Sequence, residues 1–197
     1  MPLGAFKAAL MGTAGVSAAG DVVLLSSQTA SSSASIDFTS GIDSTYGEYI
    51  FAFYNIHASN DGAHLLFQAN VDGQSGYNET VTSTSFNAHH SEDDSVTSLV
   101  YDTGWDQAEG TAGNHLLVKL GNGNDEAGSG TLFLFNPSST TYVKHWYSRG
   151  VTNSSTDRAY DNHQAGYFNV TGAIDEIQFT ASAGNIDAGT IKMWGVK

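Results

Sequence analysis

The chain has no cysteine, so it can form neither disulfides nor thiolate metal centres, and its stability must come from packing, strand pairing and association. Cations are scarce: 7 Lys and Arg stand against 20 Asp and Glu, a formal charge of -13. That balance repels phosphate backbones and anionic headgroups, so neither nucleic acid nor a membrane surface is expected as a partner. No apolar run reaches the roughly 18 residues of a membrane-spanning helix. Motifs of catalysis are missing too. The chain has no nucleophile elbow, no Gly-rich phosphate loop and no Glu-x-Asp-x-x-Glu alternation of acids on one strand face, so no enzyme activity, catalytic residue or cofactor is expected.

What is present is short-period alternation broken by turn residues. With 40% hydrophobic residues, 14% charged and 22 glycines in 197, the chain is neither disordered nor membrane-spanning in composition. Strands are expected at 21–27, 35–38, 46–56, 64–71, 77–85, 95–101, 115–120, 131–135, 142–148, 164–169, 174–180 and 190–196. Tyr46 to Ile56 is apolar on both faces, the mark of a central strand. Helix is expected only within 4–12 and in one turn near Asp106-Gln-Ala-Glu. Regularly spaced short strands point to an all-β, jelly-roll-type β-sandwich over 21–197, preceded by a short N-terminal arm, 1–20.

The C-terminal stretch from Ala173 to Lys197 reads as two strands, Ile174 to Thr180 and Thr190 to Val196, paired through a Gly-, Asn- and Asp-rich turn. Alternation puts Asp175, Ile177 and Phe179 on one face and Ile174, Glu176 and Gln178 on the other. Asp175 and Glu176 therefore cannot flank one substrate bond as an acid/base pair. Glu176 is expected in solvent and Asp175 as a hydrogen-bond acceptor at the sheet edge.

The "I-D-E-I-x-F" strand with its closing "G-T-I-x-x-x-G" strand resembles the ends of jelly-roll β-sandwich proteins in the virions of tailed bacteriophages, especially phages of marine bacteria. Its first half is also similar to a strand of laminin-G-like and lectin-like sandwiches. The resemblance extends through Tyr77-Asn-Glu-Thr-Val-Thr-Ser-Thr and Ser139-Thr-Thr-Tyr-Val-Lys-His, and so over most of 35–197. It implies a structural role in a virion and supplies no functional residues to carry over.

Residues 1–20 could pass for a signal peptide, but the only basic residue is Lys7 and Gly12 and Gly15 break the apolar run, so the segment is expected to be retained. Leu3, Phe6, Leu10 and Met11 fall on one helical stripe, suited to docking on a partner or to packing on the chain's own sandwich. His89-His90-Ser-Glu-Asp-Asp gathers imidazoles and carboxylates, yet adjacent side chains on an extended segment diverge, and a solvated acidic loop is the better expectation. Asn122-Gly-Asn-Asp-Glu-Ala-Gly offers hard oxygen ligands without the EF-hand order, and reads as an ordinary loop. Tyr142, Lys144 and Trp146 share one face of their strand, opposite Val143, His145 and Tyr147. Tyr142 and Trp146 are accordingly the candidates for a glycan or intersubunit contact, with ordinary core as the alternative.

These readings converge on a non-enzymatic phage structural protein located in the virion. It is expected to decorate or cement the capsid surface through its arm, as a homotrimer bound to another virion protein such as the major capsid protein. A tail- or fibre-associated adhesin with a carbohydrate-binding sandwich, contacting host glycan, is the first alternative. A glycan-active hydrolase or lyase is the second.

Overall fold

In the computed structural model, which describes residues 21–197, the alternating segments become 13 strands: β1 (Val22–Thr29), β2 (Ser35–Phe38), β3 (Glu48–Ala58), β4 (Ala63–Val71), β5 (Val81–Ser91), β6 (Thr97–Tyr101), β7 (Gln107–Gly110), β8 (Asn114–Leu120), β9 (Gly128–Phe135), β10 (Lys144–Ser154), β11 (Arg158–Phe168), β12 (Ile174–Ala181) and β13 (Ile186–Val196). The described residues form no helix. Every strand pairing is antiparallel, and the fold is the jelly-roll-type β-sandwich that the alternation implied. The arm, with Leu3, Phe6, Leu10 and Met11, lies outside the described residues.

Hydrogen bonding orders seven strands as β1-β13-β3-β9-β10-β11-β5, with β6 and β7 sharing the far edge of β5. This broad layer faces a narrow one, β8-β4-β12-β2. The layers join where Ser154 pairs with Leu120 and where Ser33 bridges Ile186, so the whole sheet is nearly closed on itself. At the first junction β8 comes so close to β10 that a Cβ on Gly150 would collide with the Leu116 carbonyl, which leaves glycine the only residue that fits.

The interior lies between the layers. Phe67 of β4 stands edge-on to Trp146 of β10 (centroids 4.9 Å apart, 89°) and to Phe168 of β11 (6.0 Å). Phe51 of β3 meets Phe38 at 5.4 Å and Phe179 at 5.6 Å. Edge-to-face rings fill space densely and gain from the ring quadrupole beyond their buried area. β3 is central, as its two-sided apolar pattern required, and lies between β13 and β9.

Four local expectations need correction. β12 and β13 do not pair with each other: β12 lies between β4 and β2 in the narrow layer, and β13 between β1 and β3 in the broad one. Their connection crosses from one layer to the other, because each strand carries one apolar face that only the shared interior can bury. Within β12 a bulge at Asp175 shifts the register, so Ile174, Ile177 and Phe179 all point inward and the strict alternation fails. Glu176 is not free in solvent, since Asn70 Nδ2 (2.8 Å) and Tyr77 Oη (3.0 Å) both donate to its Oε2. Finally, Gln107–Gly110 is strand β7 instead of a helical turn, held on β5 by Val81 and Ser83.

Candidate binding face

Strand β10 has the cleanest alternation in the chain. Lys144, Trp146, Ser148, Gly150, Thr152 and Ser154 are buried while His145, Tyr147, Arg149, Val151 and Asn153 are exposed. Trp146 is 2% exposed, packed on Phe67 and Phe168, and so is a core residue that no glycan or subunit can reach. That removes it as a contact candidate. Lys144 is buried beside it, donating from Nζ to the Tyr142 (3.0 Å) and Val170 (3.2 Å) carbonyls, and burial pushes its pKa down. Tyr142 precedes the strand and is 73% exposed, so the structure does not bring it together with Trp146.

The exposed aromatics lie on the opposite side of the same strand. In register across the broad layer, Leu24, Trp194, Ile50, Phe133, Tyr147, Ala165 and Thr84 form one row on the outward face of β1, β13, β3, β9, β10, β11 and β5. The next row holds Arg149, His163, Phe86 and Tyr101. Of the two expectations for Trp146, ordinary core holds, and the exposed aromatic of β10 is Tyr147 on the opposite side.

Packing within these rows fixes the ring orientations. Phe133 stacks on one face of Tyr147 (4.6 Å, 17°), with Phe135 tilted behind at 5.7 Å. The other face of Tyr147 looks toward β11, where Ala165 presents only a methyl group. Around that methyl lies an open groove of about 440 Å³ lined by Thr82, Thr84, Phe135, His145, Tyr147 and Tyr167 among others. Thr82 accepts the Glu109 N–H at 3.3 Å, which leaves its hydroxyl proton to donate, and Thr84 lies at the opposite wall from Tyr147.

Along β11, on the far side of Ala165 from Tyr167, stands a charged clasp. Arg149 Nε and Nη2 each donate at 2.8 Å to the Asp161 carboxylate, and His163 Nε2 lies 3.2 Å from the same group. Hydrogen bonds from Arg149 hold the Asp161 carboxyl below its usual range. The His163 ring lies flat on Phe86 at 4.9 Å and 4°. Asp161 is the only carboxylate on the outward side of β9, β10, β11 and β5, and Arg149 neutralises it. A pair of facing acids, the minimum for glycosidic hydrolysis, is therefore not assembled there.

The other sequence candidates are taken up by local structure. His89 stacks on Tyr160 (4.7 Å) and bonds Asn87 at 3.0 Å, while His90 points to the other side of β5 and meets Asp94 at 3.0 Å. In the loop before β9, Glu126 folds back to accept the Gly123 N–H at 2.6 Å. No group of three or more His, Asp or Glu is placed to share a metal ion among the described residues.

One titratable pair went unnoticed in the sequence. His64 of β4 and His115 of β8 face each other with Nδ1 atoms 3.0 Å apart, under Trp105. Burial pushes both pKa values down to about 4, so both rings are neutral at pH 7 and one donates to the other. The two lie 51 positions apart, and only the β4–β8 register brings them together.

Compared with models of known protein families the chain matches none, and no curated protein matches it.

Proposed function

We propose that the chain is a non-enzymatic structural protein of a tailed-phage virion. It decorates or cements the capsid surface through residues 1–20, as a homotrimer seated against the major capsid protein. The resemblance of the C-terminal strands to phage virion sandwiches supports the class of protein, and the jelly-roll sandwich it implied is the fold of the described residues. The observation that carries the assembly reading is edge strand β1. It follows residues 1–20 in sequence, pairs with no strand but β13 among the described residues, and leaves Val22 and Leu24 54% and 52% exposed. An open apolar edge invites pairing, and closing three such edges about an axis buries them together.

Light scattering of the full chain is expected to give a trimer, and Val22→Lys with Leu24→Lys a monomer. Beginning the chain at Asp21 is expected to abolish co-sedimentation with capsids that lack the protein. A wild-type monomer that leaves capsids bare would overturn the proposal.

A second reading, a tail- or fibre-associated adhesin that contacts host glycan, is favoured by the Ala165 groove. It keeps the fold and the virion location and changes only what the outward face touches.

A further inference from the structure

We infer that the groove over Ala165 is a binding site for uncharged pyranose units of a glycan. The inference deepens the adhesin reading and rests on it. A pyranose is amphiphilic at the scale of one ring, with an axial C–H face and an equatorial belt of hydroxyls. The groove is built in the same two parts. The free face of Tyr147, backed by its stack on Phe133, is a flat apolar wall held in one orientation. A wall that is already ordered loses little entropy when a ring packs on it. Across the groove from it, on β5, Thr82 and Thr84 provide hydroxyl groups, and His145 adds an imidazole beside Tyr147 on β10. The Ala165 methyl leaves the floor low enough for a ring to enter, and about 440 Å³ lies within the range of small-ligand sites.

Charge selects among ligands. On a chain of net charge -13, an anionic glycan is repelled at long range. The groove walls carry no carboxylate, and the nearest guanidinium, Arg149, is committed to Asp161. An uncharged ring meets neither repulsion nor an unpaired charge. A second copy of the chain fits less well, because its matching face would bury His145 and the remaining hydrogen-bonding capacity of the Thr82 and Thr84 hydroxyls, which bond only the Glu109 N–H and the Ala165 carbonyl, against aromatics. Further along β10, β11 and β5, a second depression of about 300 Å³ over Ala88 and Ala159, with Asp161 of the clasp in its wall, continues the line an extended chain of sugars would take.

The test uses the full chain on a printed array of neutral hexose-based oligosaccharides beside their sulfated and uronate-bearing counterparts, together with adsorption to host cells. Ala165→Leu fills the groove from an exposed position, and Tyr147→Ala removes the wall. Each is expected to weaken binding to neutral glycans at least about tenfold while leaving the unfolding midpoint near wild type. Binding that survives both substitutions overturns the groove and leaves the adhesin reading standing. Binding confined to acidic glycans, or to host cells without any printed glycan, also overturns the groove. Absence of both glycan and cell binding removes the adhesin reading itself. A change of oligomeric state in Ala165→Leu assigns the face to a second copy instead.

Discussion

Phe67→Ala is expected to cost about 3–5 kcal/mol, read as a lowered urea midpoint with an unchanged slope. Phe67 is 1% exposed and belongs to the narrow layer, but its ring is enclosed by Trp146 and Phe168 of the broad layer and by Phe179 of its own. Truncation removes the transfer free energy of the ring. It also leaves a cavity that cannot collapse, because the surrounding rings belong to strands fixed by hydrogen bonds on both sides. Phe67→Leu, which keeps most of the volume, is expected to recover much of the loss. A cost under about 1 kcal/mol for Phe67→Ala would mean that the two layers do not share an interior.

Acid is expected to destabilise the fold well before the carboxylates titrate. His64 and His115 have an ordinary pKa of 6.5 when unfolded and about 4 when folded, chiefly because burial disfavours the imidazolium; Lys119 opposes the His64 charge further, while Asp102 favours it. Above pH 6.5 both states are neutral and stability does not depend on these groups. Between 6.5 and 4 the unfolded chain binds more protons than the folded one, so stability falls as pH falls. The loss for the first proton is about 3 kcal/mol, and the second proton would meet a charged neighbour, so the two contributions do not add independently. Urea midpoints between pH 7.5 and pH 4.5 measure it. His64→Phe, which keeps a ring beside Trp105 but takes no proton, is expected to make the profile about half as steep, since His115 stays buried and still titrates on unfolding. A wild-type midpoint constant over that range would contradict the buried pair.

The sequence made the strands legible wherever inward positions are apolar, as in β3, β4 and β12. It shortened β11, read only from Gln164, because the inward side chains ahead of that point are Tyr160 and Asn162 and their polarity conceals the alternation. Their polar groups are taken up by backbone carbonyls: Gln164 Nε2 donates to the Trp105 carbonyl at 2.9 Å, and Asn162 Nδ2 to the His115 carbonyl of β8 at 3.4 Å. Strand partners were less legible than strands. The turn after β12 looks like a hairpin loop, and nothing local records that it spans two layers.

The binding face was half legible for a related reason. Alternation divides β10 into two sets correctly, but it cannot say which set is inward when the buried set contains Lys144 and the exposed one contains Tyr147 and Val151. The register with β9 and β11, and the rings of β4, decide it. The groove itself depends on Ala165 lying opposite Tyr147, a pairing across 18 positions that no single strand displays.

Trp146 and Tyr147 are neighbours in sequence on opposite sides of one strand, and comparing their alanine variants by urea unfolding tests this arrangement most directly. Trp146→Ala is expected to lose about 3–5 kcal/mol, and Tyr147→Ala no more than about 1 kcal/mol, chiefly its stack on Phe133. Equal losses, or a larger loss at Tyr147, would contradict it by placing the interior on the other side of β10.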